Sequence, residues 1–173
     1  MVKLPVIVYN RKSQEDVFIS AVSLRRKLEL EAVQGQKNSG KYIRPIVLFQ
    51  AQPRNNDDST TYEKIKHTLM EMGIPESEIA IKTADKDELK NIDLSSSDCN
   101  IRYIITVNAL KEGWDCPFAY ILATVANRTS SIDVEQILGR ILRLPNTKKN
   151  KSEVLNLSYV ITSSNAFYAT LDK

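Results

Sequence analysis

The chain has 173 residues, of which 42% are apolar and 26% charged, with a net charge of +3: the proportions of a single globular domain with room for a real core. One histidine, His67, and two cysteines, Cys99 and Cys116, exclude a structural zinc site and a Ser-His-Asp triad. No apolar run reaches the roughly 18 residues that a membrane span needs, and Met1 to Pro5 lacks a signal-peptide core, so a cytoplasmic chain with reduced thiols and no membrane partner is expected.

In chain order, Pro5 to Tyr9 reads as a short buried strand. Ser13 with Asp16 opens a helix whose apolar positions are Val17, Ala21, Leu24 and Leu28. The polar stretch Gln34 to Lys41, with Gly35 and Gly40, reads as a loop, making residues 1–40 a leading strand-helix-loop segment. Ile46 to Phe49 is an apolar run of buried-strand type. Thr60 and Glu63 cap a helix carrying Tyr62, Ile65, Leu69 and Met72, which Gly73 and Pro75 stop. Ile79 to Lys82 is a third strand, Asp85 to Asn100 a polar connection, and Ile101 to Val107 a fourth strand. Ala119 to Val125 is a fifth, Ser131 to about Arg143 a capped helix, and Leu155 to Ile161 a sixth strand.

Strands alternating with helices, without tight hairpin signals, predict an α/β layer fold with a mostly parallel sheet. In such sheets the chemistry sits beyond the carboxyl ends of the strands. Charge is uneven along the chain. Residues 1–56 carry ten basic and four acidic groups, residues 57–98 five and eleven, and residues 128–151 six and two. Two basic segments facing a polyanion, or a mixed solvated surface, both accommodate that pattern.

The helix from Ser131 carries the most informative motif. At 100° per residue Gln136, Gly139, Arg140 and Arg143 share one stripe, with Val134, Ile137, Leu138, Ile141 and Leu142 opposite. Glycine within a helix costs about 1 kcal/mol relative to alanine, so Gly139 points to a close approach to the backbone. Arg140 and Arg143 form either a phosphate clamp or a solvated surface. Between the fourth and fifth strands, Gly113 and Pro117 bracket a tight loop holding Asp115. That carboxylate orients Arg140 or Arg143, accepts bonds from a ribose, or closes an Asx turn, while Trp114 packs against the sheet.

Together the two loops resemble the second RecA-like domain of superfamily 2 helicases and translocases, most closely the type III restriction enzyme Res subunit. The matching pieces are Pro45 to Gln52 (motif IV), Ile81 to Thr83, Asn108 to Pro117 (motif V) and Gln136 to Arg143 (motif VI), within residues 41–162. The resemblance implies a three-layer α/β domain of the phosphate-loop NTPase type, with about six strands. It implies ATP and Mg2+ in the intact protein, a first RecA-like domain and DNA as partners, and a methyltransferase or specificity subunit alongside. Gln136, Arg140 and Arg143 would face the nucleotide, with Arg143 as arginine finger and Gly139 close by. Gly113 and Asp115 would link nucleotide to nucleic acid, and Gln50, Thr83 and Asn108 would lie near the nucleic-acid backbone.

Val107 stands where many members carry threonine, and valine cannot donate to a phosphate. The chain holds no G-x-x-x-x-G-K-[ST] loop, no Asp-Glu magnesium pair and no nuclease segment. It is therefore expected to be one half of a motor, inactive by itself. Two other readings stand beside that one: a RecA-like module that binds nucleic acid or protein without an ATPase role, and a scaffold in which both motifs serve packing.

Overall fold

The computed structural model describes residues 6–10, 13–40, 42–51, 62–83, 86–94, 96–106, 118–124, 155 and 157–162. The elements are β1 (Val6–Asn10), α1 (Gln14–Ser39), β2 (Ile46–Gln50), α2 (Tyr62–Glu71), a 3-10 turn (Glu76–Glu78), β3 (Ile79–Lys82), β4 (Tyr103–Thr106), β5 (Ala119–Thr124) and β6 (Ser158–Thr162). The six strands form one sheet in the order β1-β6-β5-β2-β4-β3. Every neighbouring pair is parallel. This is the RecA-like α/β architecture expected from the sequence.

The sheet is buried on both faces, as parallel sheets must be. Ile46, Val47, Leu48 and Phe49 of β2 are successive and all fully buried, although successive side chains point to opposite faces. Phe18 of α1 stacks on Phe49 with ring centroids 5.2 Å apart, and Phe49 on Tyr103 at 6.4 Å. Val17, Ala21, Leu28 and Ala32 form the buried stripe of α1, which packs on β5, β6 and β2.

Ser13 caps α1 as expected, its hydroxyl accepting from the Asp16 N–H at 3.2 Å. The loop expected over residues 34–41 is corrected: α1 continues through Gly35 to Ser39. The twenty-one helical residues before Gly35 make propagation across one glycine inexpensive, whereas nucleation would not be. The stop is Gly40, in the left-handed region at φ 74°, its N–H donating to the Gln36 carbonyl at 2.8 Å. Gly73 at φ 91° ends α2 as the sequence predicts. Cys99 is a free thiol.

Two buried arginines organise the amino edge of the sheet. Arg44, 1% exposed, meets no carboxylate among the described residues. It donates through Nε to the Ile101 carbonyl at 2.7 Å, through Nη1 to Tyr42 Oη and the Ser96 carbonyl at 3.0 Å each, and through Nη2 to the Leu94 carbonyl. Its guanidinium also lies over the rings of Tyr42 and Phe118, 5.8 and 5.9 Å from their centroids. Phe118 needs holding: its φ of 68° is a strained conformation for a bulky residue, and its carbonyl accepts the Ile46 N–H. Nearby, Arg25 donates to Tyr103 Oη at 3.0 Å and to Glu29 Oε2 at 3.1 Å, while Arg102 Nε reaches Glu29 Oε1 at 2.9 Å.

The outer side of β3 is also closed. Residues 86–88 fold back antiparallel, Lys82 bridging to Asp87. The Ile81 N–H donates to Glu88 Oε1 at 2.8 Å, and the Glu88 N–H donates to the Ile81 carbonyl at 3.0 Å.

Arg44→Met should lower unfolding free energy by about 3 kcal/mol or more, because it strands buried carbonyls without donors. Urea titration reads this directly. Burial alone would raise the Glu29 carboxyl, but hydrogen bonds from Arg25 and Arg102 outweigh it and hold it below its ordinary 4.5. Its stabilisation is therefore complete above pH 4.5 and lost as pH falls through the lower folded value. Thermal melts across that window should show Glu29→Gln losing less stability on acidification than the parent chain.

Candidate functional site

Each strand ends with an abrupt change of chemistry. The penultimate residues Ile81, Ile105, Phe49, Ala123, Ile161 and Tyr9 are apolar or aromatic; the final ones are Lys82, Thr106, Gln50, Thr124, Thr162 and Asn10. Register aligns those last residues across the whole sheet: Lys82 opposite Thr106, Thr106 opposite Gln50, Gln50 opposite Thr124, Thr124 opposite Thr162, and Thr162 opposite Asn10. Parallel neighbours in register share a face. Since Phe49 stacks on α1, Gln50, Thr106, Thr124 and Thr162 line the face away from α1.

Topology marks the middle of this row. The chain leaves β2 towards β3 on one side and leaves β5 towards β6 on the other, so the adjacent strands β2 and β5 bound the switch point. Ligands of open parallel sheets bind in the crevice at the carboxyl ends of such a pair. Gln50 and Thr124 stand there.

Among the described residues, two polar atoms in this row are buried and have no hydrogen-bond partner: Gln50 Oε1 and Thr106 Oγ1. A buried group left unpaired costs about 1–3 kcal/mol, so two in-register neighbours left open are an energetic concession at this edge. A ligand presenting hydrogen-bonding oxygens or amides would recover it. Thr106, Gln50 and Thr124 offer neutral hydroxyl and amide groups that both donate and accept. The cation of the row, Lys82, is engaged by Asp87 at 3.0 Å, and that hydrogen bond holds the Asp87 carboxyl below its usual range.

Thr83 follows directly after β3. Its hydroxyl accepts the Lys86 N–H at 3.0 Å and its own N–H donates to the Lys86 carbonyl at 2.7 Å, forming a side-chain-supported turn. The structure thus brings Gln50 and Thr83 to one edge of the sheet, on strands separated by β4. Of the other residues singled out from sequence, Asn108, Gly113, Asp115, Gln136, Gly139, Arg140 and Arg143, together with Val107, lie outside the described residues. Thr106, Thr124 and Thr162 were not singled out. Their signal was a polar residue closing an apolar run, repeated strand after strand.

Among the described residues no cluster of His, Cys, Asp or Glu could hold a metal ion. Nor is any described helix long and apolar enough to cross a membrane. Tyr120, beside the register shift at the start of β5, is a neutral buried phenol whose pKa desolvation pushes up, and its hydroxyl also lacks a partner among the described residues. Tyr159 is pushed up to about 12 by burial and by Tyr9. A cavity of about 280 Å³ lies at the opposite, amino edge, lined by Arg25, Arg26, Glu29, Glu78 and Arg102 among others.

No protein-family model matches the chain, and neither does any curated protein sequence. Among solved structures, the chain is similar to a Dbp5 variant of S. cerevisiae bound to RNA and ADP BeF3. The TM-score is 0.55 at 14% identity, covering 98% of this chain and 38% of that one. It is similar also to the C-terminal domain of a Dbp5 variant of S. cerevisiae bound to a Gle1 variant and IP6. There the TM-score is 0.51 at 15% identity, covering 99% of this chain and 82% of that domain. The chain thus spans little more than a third of the first protein and most of the second. Likeness at such low identity is a likeness of fold.

Thr106→Val removes a hydroxyl that bonds to nothing among the described residues. Stability should therefore stay within about 1 kcal/mol of the parent or rise, the reverse of what burying an unpaired group elsewhere would do. Chemical denaturation checks this.

Proposed function

We propose that this chain is the second RecA-like domain of a superfamily 2 helicase or translocase, and that the carboxyl edge of its sheet faces nucleic acid and nucleotide. The observation that carries the reading is the in-register polar row with Gln50 Oε1 and Thr106 Oγ1 buried and unpaired at the topological switch point. The fold shared with Dbp5, a protein seen with RNA and with ADP BeF3, supports it. So does chain order: motif V begins two residues after Thr106, and motif VI lies between β5 and β6.

In this reading the row and the arginines divide the work. Neutral hydroxyls and an amide suit phosphodiester oxygens and sugars, which need orientation more than neutralisation; Gln50, Thr83 and Asn108 take that role. A triphosphate with Mg2+ needs fixed cations, and the described row supplies none that is uncommitted. That task falls to Arg140 and Arg143, with Arg143 the arginine finger and Asp115 orienting it, while Gln136 faces the nucleotide as a neutral amide and Gly113 and Gly139 permit close approach. When bound, ATP would supply the driving free energy and a first RecA-like domain its phosphate loop. The finer assignment is the motor of a type III restriction enzyme, acting on DNA beside a methyltransferase subunit.

The test is a nucleic-acid-stimulated ATPase assay on a protein joining this domain to its phosphate-loop partner. Arg143→Ala should cut turnover by about 10³-fold or more while ATP binding persists, and Arg143→Lys should not restore it. Gln50→Ala and Thr106→Val should raise the nucleic-acid concentration needed for stimulation. Near-normal turnover in Arg143→Ala would remove it as the finger and pass the role to Arg140. Unchanged nucleic-acid affinity in both row variants would remove the edge from the binding face. Nucleic-acid binding that never couples to ATP turnover in the parent would favour the binding-module reading.

A further inference from the structure

The face of α1 turned away from the sheet carries a pattern of its own. Ile19, Ser23, Arg26, Leu30, Val33 and Lys37 follow one another at alternating steps of four and three, the spacing of a coiled-coil seam. All six are exposed, and they lie opposite the buried stripe of Val17, Ala21, Leu28 and Ala32. Three of the five large apolar side chains exposed among the described residues fall on this seam: Leu30 at 70%, Ile19 at 49% and Val33 at 44%. A solvated helix face has no reason to collect them in register over roughly 27 Å.

The seam is interrupted at its centre by a cation. Arg26 makes no hydrogen bond or ion pair among the described residues, and it lines the 280 Å³ cavity beside the seam. That cavity holds three guanidiniums, Arg25, Arg26 and Arg102, against two carboxylates, Glu29 and Glu78. Glu29 is already shared by Arg25 and Arg102. The surplus is positive and sits where a facing helix would place its central seam residue.

We propose that the outer face of α1 docks an amphipathic helix of a partner protein, with an acidic side chain of that helix opposite Arg26. A second copy of this chain is a poor occupant. Antiparallel pairing would set Arg26 against Leu30 and Lys37 against Ile19, and parallel pairing would set Arg26 against itself, burying cations with no carboxylate to meet them. A polar residue at one seam position fixes register, so the acidic side chain selects both partner and alignment. This inference does not rest on the proposed motor function.

The experiment uses the full 173-residue chain and two labelled helical peptides of about 20 residues with leucine at their seam positions. One carries glutamate at the central position and its twin carries lysine there. By fluorescence anisotropy the glutamate peptide should bind at least about tenfold more tightly, the ratio that about 1.4 kcal/mol gives. Leu30→Asp, or Val33→Asp if that variant melts early, should abolish binding, and Arg26→Glu should invert the preference. Equal binding of the twins, no binding of either, or a preference that Arg26→Glu leaves unchanged would overturn the proposal. So would sedimentation showing a dimer of the chain itself that Leu30→Asp breaks.

Discussion

The structure depends on a buried guanidinium, Arg44, that is held by carbonyls and aromatic rings and meets no carboxylate among the described residues. Taking Arg44 out of water is tolerable because its donors meet the carbonyls of Leu94, Ser96 and Ile101 and the Tyr42 hydroxyl, while aromatic faces of Tyr42 and Phe118 flank its plane. Those contacts lie at the entries to β2, β4 and β5, so one side chain sets where three neighbouring strands begin. In a parallel sheet of strands four to six residues long, where they begin decides where they end. A slip of one residue in β4 would turn Thr106 to the α1 face and break the polar row. The row at one edge is thus maintained by an anchor at the other.

The two edges solve opposite problems. At the amino edge charge is saturated: Arg44 is enclosed by acceptors, and Glu29 serves two arginines at once. At the carboxyl edge saturation is withheld among the described residues, with Gln50 and Thr106 each keeping a buried oxygen unpaired. Natural chains tolerate such local debits where binding needs them and recover the stability elsewhere. Strain follows the same division. Phe118 is held at positive φ where the chain enters β5, and its ring is pinned by the same arginine that anchors β2.

Much of this was legible in the sequence, for physical reasons. Apolar runs of four to six residues between turn signals located the strands to within a few residues, since a doubly covered strand must be apolar throughout. Ser13 marked the helix start because its hydroxyl has one obvious N–H to serve. Gly35 misled: a glycine among polar residues reads as a loop, but a long helix carries one glycine through, and only Gly40, where φ turns positive, stops it. Gln50 and Thr83 were singled out by motif resemblance, and both stand at the carboxyl edge of the sheet. Thr106, Thr124 and Thr162 were not, because alignment across strands is a property of the sheet and no single segment contains it. Arg44 was invisible for a related reason: its carbonyl acceptors are fifty or more residues away. The motif VI arginines remain a reading of sequence alone.

The fold-back over β3 bears on how the molecule behaves in company. A sheet edge is a template that any extended segment can extend, and unguarded edges are where globular proteins begin to aggregate. Here the outward N–H of Ile81 is occupied by a carboxylate, its carbonyl by the Glu88 amide, and the next amide, of Thr83, by the Lys86 carbonyl. An invading strand would have to evict a charged side chain and a turn before forming its first bond. The β3 flank is therefore closed to amyloid-like growth and to strand exchange, and a chain packed with fully buried strands can be crowded at high concentration without that side becoming a seed.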